Sequence, residues 1–171
     1  YADVGILVRV YSLTPFIEMA LLANGIPYSI DGNKSVLTSS EYHALNGLLC
    51  FAHFKDASNE QKYTWVNKAL RLPRLPIKEP VYQSLVKSII EDGEELPLRK
   101  ICKSLGKYAY KQTINRVLAL IKINKMTFDT ASSLIEMFID SSNIRQSLTM
   151  MDDVDAKERV KSMLTSYQLL F

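Results

Sequence analysis

The chain has 171 residues, 47% hydrophobic and 23% charged, with a formal net charge of +3. A folded chain of this size buries about 70% of the surface it exposes when extended, and with this composition it is neither a disordered tail nor a low-complexity linker. No run of uncharged apolar residues is long enough for a membrane span, the first residues lack a signal-peptide pattern, and the length excludes a large multi-step motor or synthetase.

The first element is predicted as a strand. Val4–Val10 is a near-continuous apolar run, broken only by Gly5 and Arg9, of the kind found in a strand buried on both faces. Thr14 followed by Pro15 supplies an N-cap and a proline at the first helical position. Ile17, Ala20, Leu21 and Leu22 then form an apolar stripe, and Asn24-Gly25 ends the helix in a left-handed turn. A second short strand is expected at Pro27–Ile30, closed by Asp31-Gly32-Asn33. Strand, helix and strand within so short a stretch predict a small βαβ unit. Nothing later clearly supplies the strands that would complete a sheet.

From Thr38 the pattern is helical. Ser39 or Ser40 opens a helix running through Phe54, with Leu45, Leu48, Leu49 and Ala52 inward; Ala57 or Ser58 opens another through Leu70. Pro73, Pro76 and Pro80 make Arg71–Pro80 a stiff connector. Further helices are predicted over Val81–Glu91, Leu98–Leu105, Tyr110–Ile123, Phe128–Ser141 and Asp153–Leu170. The expected fold is mainly α: an irregular helical bundle preceded by a small βαβ remnant.

The modest net charge conceals a strong bias. Residues 1–60 carry a net −3, residues 61–130 a net +8 and residues 131–171 a net −2. A basic centre between acidic flanks suits a polyanionic partner, although a run of charge is more often a solvated helix face than a binding site. Within it Arg99, Lys100, Lys103, Lys107 and Lys111 are closely spaced, and Lys100, Lys103 and Lys107 follow helical intervals of three and four. Such a face suits non-specific contact with phosphates. Tyr108 and Tyr110, placed among the lysines, either stack on bases or anchor the next helix, and anchoring is the expected role.

Arg9 is the other candidate. At the C-terminal end of a parallel strand its guanidinium would grip a phosphate bidentately, with Tyr11 stacking on a base and Ser12 alongside; the opposing reading pairs Arg9 with Glu18. There is no phosphate-binding glycine loop, no nucleophile elbow and no metal-ligand spacing: His43 and His53 stand apart on one predicted helix. Cys50 and Cys102 make neither a disulfide framework nor a metal site, and reduced thiols in a cytoplasmic protein are expected.

The text DVGILVRVYSLTPFIEMALLANGIPYSIDG, continuing through SVLTSSEYHALNGLLCFA, resembles a stretch of the UvrD/Rep/PcrA-type superfamily 1 DNA helicases. The matching features are Arg9 at the end of the apolar run, Ser12, the helix glutamate Glu18, Gly25-Ile26-Pro27-Tyr28, Gly32, and Glu41 followed by Leu48 and Leu49. The departures are Tyr11 where that family has Asn, Pro15 where it has Arg, Asn33 in place of a second Gly, and His43-Ala44 in place of Lys-Asp. The resemblance implies that 1–37 is part of a RecA-like domain, called 2A, and that 38–171 is mostly the inserted helical domain, 2B.

It further implies that the chain is a fragment of an ATP-dependent DNA helicase, expected to begin, at Tyr1, within a longer protein. The parent would translocate on single-stranded DNA and unwind duplex, using ATP and Mg²⁺ held by RecA-like domains elsewhere in the same protein. No cofactor is expected on the fragment, which lacks the ATPase centre and is expected to be inactive alone. Arg9, Tyr11 and Ser12 would then face single-stranded DNA, with Lys100, Lys103 and Lys107 toward duplex. The alternative is a non-enzymatic helical adaptor whose basic face binds nucleic acid or an acidic protein.

Overall fold

The computed structural model of the chain describes residues 4–9, 13–31, 35, 40–72 and 75–144. The helix predicted over Asp153–Leu170 lies outside them. Seven helices follow one another among the described residues: α1 (Thr14–Ala23), α2 (Ser40–His53), α3 (Asn59–Ala69), α4 (Glu79–Glu91), α5 (Glu95–Lys103), α6 (Lys107–Lys125) and α7 (Ala131–Ser142).

The expected βαβ unit is not formed. No strand occurs among the described residues, and 4–8 and 26–30 have irregular backbone. Val4, Ile6 and Leu7 are 70%, 56% and 100% exposed, so the apolar run that predicted a buried strand is not buried. A strand exists only through a ladder with a neighbour that satisfies its N–H and C=O groups, and two short candidates flanking one helix supply too little sheet to hold each other. The helix between them does form, with a different start. Leu13, not Thr14, is the N-cap; it has αR geometry and no side-chain capping bond, while Thr14 is already helical and the proline lies in the first turn. The end is as expected: Asn24 N–H and Nδ2 both donate to Ala20 O, and Gly25 has φ +64°.

The helices from α2 onward share one apolar core. Leu45, Leu48 and Phe51 of α2, Val66 of α3, Leu85 and Ile89 of α4, Leu98 of α5, Val117 and Leu120 of α6, and Ile135 and Phe138 of α7 are all buried. α2 and α3 form a tight hairpin at Gly47, where a Cβ would lie 2.7 Å from Trp65 O. Ser58 starts α3 with a full capping box: its hydroxyl accepts from Gln61 N, and Gln61 Oε1 accepts from Ser58 N at 3.1 Å. The connector predicted over Arg71–Pro80 ends sooner, because Glu79 and Pro80 already belong to α4. Arg71 orders it by donating to Glu79 at 2.8 Å, with its guanidinium 4.8 Å from the centre of the Tyr82 ring.

α5 and α6 start earlier than their apolar stripes predicted, because Glu95 and Lys107 open them ahead of the first inward residues. Thr130 caps α7 by accepting from Ser133 N at 3.1 Å, and α7 ends on Asn143 in the left-handed region at φ 56°. Among the described residues from α2 onward, one charged side chain lies inside the bundle. Arg116 of α6 is 1% exposed and donates Nη1 to Leu70 O at 3.2 Å, where burial lowers its pKa to about 10.

Candidate nucleic-acid interface

The residues singled out as nucleic-acid contacts fall on two separate stretches of the chain. Lys100, Lys103 and Lys107 meet at the corner where α5 turns into α6. Arg9 lies at an exposed bend in the N-terminal segment, while Tyr11 and Ser12 lie outside the described residues. The crevice at the end of a parallel strand, on which the expectation for Arg9 rested, is not built by the described residues. Glu18 has other partners: it is 1% exposed and accepts from Tyr28 Oη at 2.5 Å and from Ser35 Oγ. Burial, followed by the bond and charge of Glu18, pushes the Tyr28 phenol up to about 12.

The α5–α6 corner is constructed from its inner face outward. Leu98 and Cys102, one helical turn apart, are fully buried, and Ile101 and Leu105 pack against the same core. That anchoring turns Lys100 and Lys103 to solvent at the end of α5. Ser104 closes α5 in αR geometry, Leu105 N donates to Cys102 O at 3.0 Å, and Gly106 becomes the N-cap of α6. Lys107 and Lys111, a turn apart at the start of α6, are exposed as well.

The electrostatics of this corner are uneven. Arg99 is neutralised locally: its Nη2 donates to Glu95 Oε2 at 3.0 Å, and hydrogen bonding to Glu95 is the largest cause of its raised pKa. Lys100, Lys103, Lys107 and Lys111 form no salt bridge with any described residue. Lys100 and Lys103 lie in the last turn of α5, where the helix dipole favours a cation. Lys107 is the first residue of α6, at a positive dipole end with no acidic residue in its first turn. A cation there costs about 0.3–1 kcal/mol in isolation, and an anion docking on the corner would relieve that cost.

Tyr110 packs against the core, as anticipated for an anchor, whereas Tyr108 is 56% exposed on the lysine side of the sequence. No group of three or more His, Cys, Asp or Glu suited to a metal occurs among the described residues. Both cysteines are free thiols, and burial pushes that of Cys102 up to about 11. No described helix is long and apolar enough to cross a membrane.

Sequence reasoning missed two features. Lys55, in the α2–α3 loop, donates to Ile123 O at 2.9 Å and Asn124 O at 3.0 Å, capping the C-terminus of α6. Beside it, His53, Phe54 and Trp65 form an aromatic shelf. The only sequence signal was an aromatic residue standing just before the polar turn Lys55-Asp56, a pattern that a frayed helix end also gives. No family model, curated protein or solved structure matches the chain.

Proposed function

We propose that the chain is a helical segment of an ATP-dependent DNA helicase, acting as an accessory surface that holds duplex DNA by its phosphates. The single observation supporting this reading is the text from Asp3 to Ala52, which resembles superfamily 1 helicases over consecutive features. Two of the residues that carry the resemblance, Glu18 and Tyr28, are hydrogen-bonded partners. The lysine corner of α5 and α6 is where the duplex would rest, because its charges have no described carboxylate to neutralise them. Contact of this kind is sequence-independent and weakens with salt, because counterions released into a more concentrated solution gain less entropy. Motor chemistry needs a phosphate loop, magnesium ligands and a residue that orients water, all of which the proposal assigns to other parts of a cytoplasmic parent protein.

The test has two arms. The gene extended beyond both ends should encode a phosphate loop before this segment and a returning α/β segment after it, and a complete gene without them overturns the helicase reading in favour of an adaptor. The pure chain should turn over no ATP, and at low salt it should bind a labelled duplex measured by anisotropy. Replacing Lys100, Lys103 and Lys107 with Gln should lower the slope of log affinity against log salt by roughly 2–3. An unchanged slope would remove the corner from the interface.

A further inference from the structure

We propose that the shelf formed by His53, Phe54 and Trp65 is a stacking site for a single unpaired nucleobase, separate from the lysine corner. Phe54 is 52% exposed, yet it is not on a loose end. Its N–H donates to Cys50 O at 2.9 Å, its carbonyl accepts from Ala57 N at 3.3 Å, and the next residue, Lys55, is tied by two bonds to the end of α6. Half of a large apolar ring is thus presented to water on a fixed backbone.

The rings form an open surface and not a closed stack. His53 meets Phe54 edge-on, with centroids 4.9 Å apart and planes at 87°. Phe54 and Trp65 lie 5.9 Å apart, tilted by 37°. A flat ring sandwiched between them would need about 7 Å, twice a carbon–carbon contact, so a base stacks on an outer face and does not intercalate. The concavity beside the rings, about 420 Å³, accommodates one heterocycle.

The polar rim selects among flat ligands. Gln61 and Asp56 both line the concavity. The Gln61 carbonyl oxygen is occupied by the Ser58 capping box, which leaves its amide N–H groups as donors, and Asp56 supplies an acceptor. A donor beside an acceptor matches the edge of a nucleobase, which carries both, and not a plain hydrocarbon ring. Burial, and after it the nearby charge of Lys62, lowers the pKa of Lys55; positive charge beside the rings favours a ligand carrying phosphate over a cation that would otherwise suit aromatic walls.

Trp65 is the chain's single tryptophan, so the site reports its own occupancy. The experiment titrates the full chain with a short oligothymidylate and with an abasic oligomer of equal length, following Trp65 fluorescence. The expected result is saturable quenching by oligothymidylate alone, roughly tenfold weaker binding for Phe54→Ala, and near-normal binding for Phe54→Tyr. Far-UV circular dichroism checks that both variants fold. Equal quenching by the abasic strand, the same affinity in Phe54→Ala, no quenching at all, or quenching by tetramethylammonium instead of oligothymidylate would each overturn the proposal. Repeating the titration with Lys100, Lys103 and Lys107 replaced by Gln separates the two sites: the quench should persist when duplex binding is lost.

Discussion

The two ends of the described chain are held by different physics. From α2 to Ile144 the helices pack around a continuous set of buried aliphatic and aromatic side chains. Before Ala44 the single fully buried described side chain is Glu18, a carboxylate held by two hydroxyl donors. Apolar packing is non-directional and grows with area, so it makes the bundle cooperative. A hydrogen-bonded carboxylate contributes far less net free energy but fixes direction, and it ties the segment after α1 to one place. Met19 is the partly buried residue through which α1 leans on the shared core.

Three substitutions probe that contrast. The largest effect is expected from Phe138→Ala, which empties a fully buried ring position in the bundle and should cost about 3–5 kcal/mol in urea denaturation. Because the core is shared, α2 through α7 should unfold in one transition; a second transition would show that the bundle is two units. Next comes Gly47→Ala. The added methyl meets the backbone carbonyl of Trp65, which cannot rotate away, and should cost about 1–3 kcal/mol although alanine is the better helix former. No loss of stability would mean that α2 and α3 cross less tightly than described.

The smallest global effect is expected at the other end. Tyr28→Phe removes one donor to Glu18 and should cost about 1–2 kcal/mol, seen mainly as faster proteolysis between α1 and α2 while the bundle's midpoint hardly moves. The pH dependence has a definite sign. Tyr28 holds its proton more tightly in the folded chain, with a pKa raised from 10.0 to about 12. Its contribution is therefore complete below pH 10 and is lost as pH climbs toward 12. Cys102 behaves alike in a lower window, from 9.0 to about 11, but inside the bundle. Protection of the α1–α2 region in wild type should fade in the upper window, and in Tyr28→Phe that component should be absent.

The bundle was legible in the sequence because helices report themselves locally. Ser58 at the start of α3 and the spacing of Leu45 and Leu48 each signal an element without reference to distant residues, whereas Pro80, read as the end of a connector, lies in the first turn of α4. The N-terminal segment was misread as strands, since an apolar run such as Val4–Val10 states that burial is wanted and not whether a partner strand exists. The lysine corner was half legible. Spacing placed Lys100 and Lys103 on one face, but only the fold shows that Glu95 is spent on Arg99 and not on them. Arg116 carried no warning: it reads as one more cation in a basic block, and its burial follows from the packing of α6 against the end of α3.

The Lys55 clamp carries a consequence for how the chain matures. Its two bonds span separations of 68 and 69 residues, reaching from the α2–α3 loop to the last carbonyls of α6. While α6 is still being synthesised, the loop that presents Phe54 has no anchor at its centre. A chain truncated before Ile123 is therefore expected to keep the local bonds at Phe54 while losing the clamp that fixes the loop beside it.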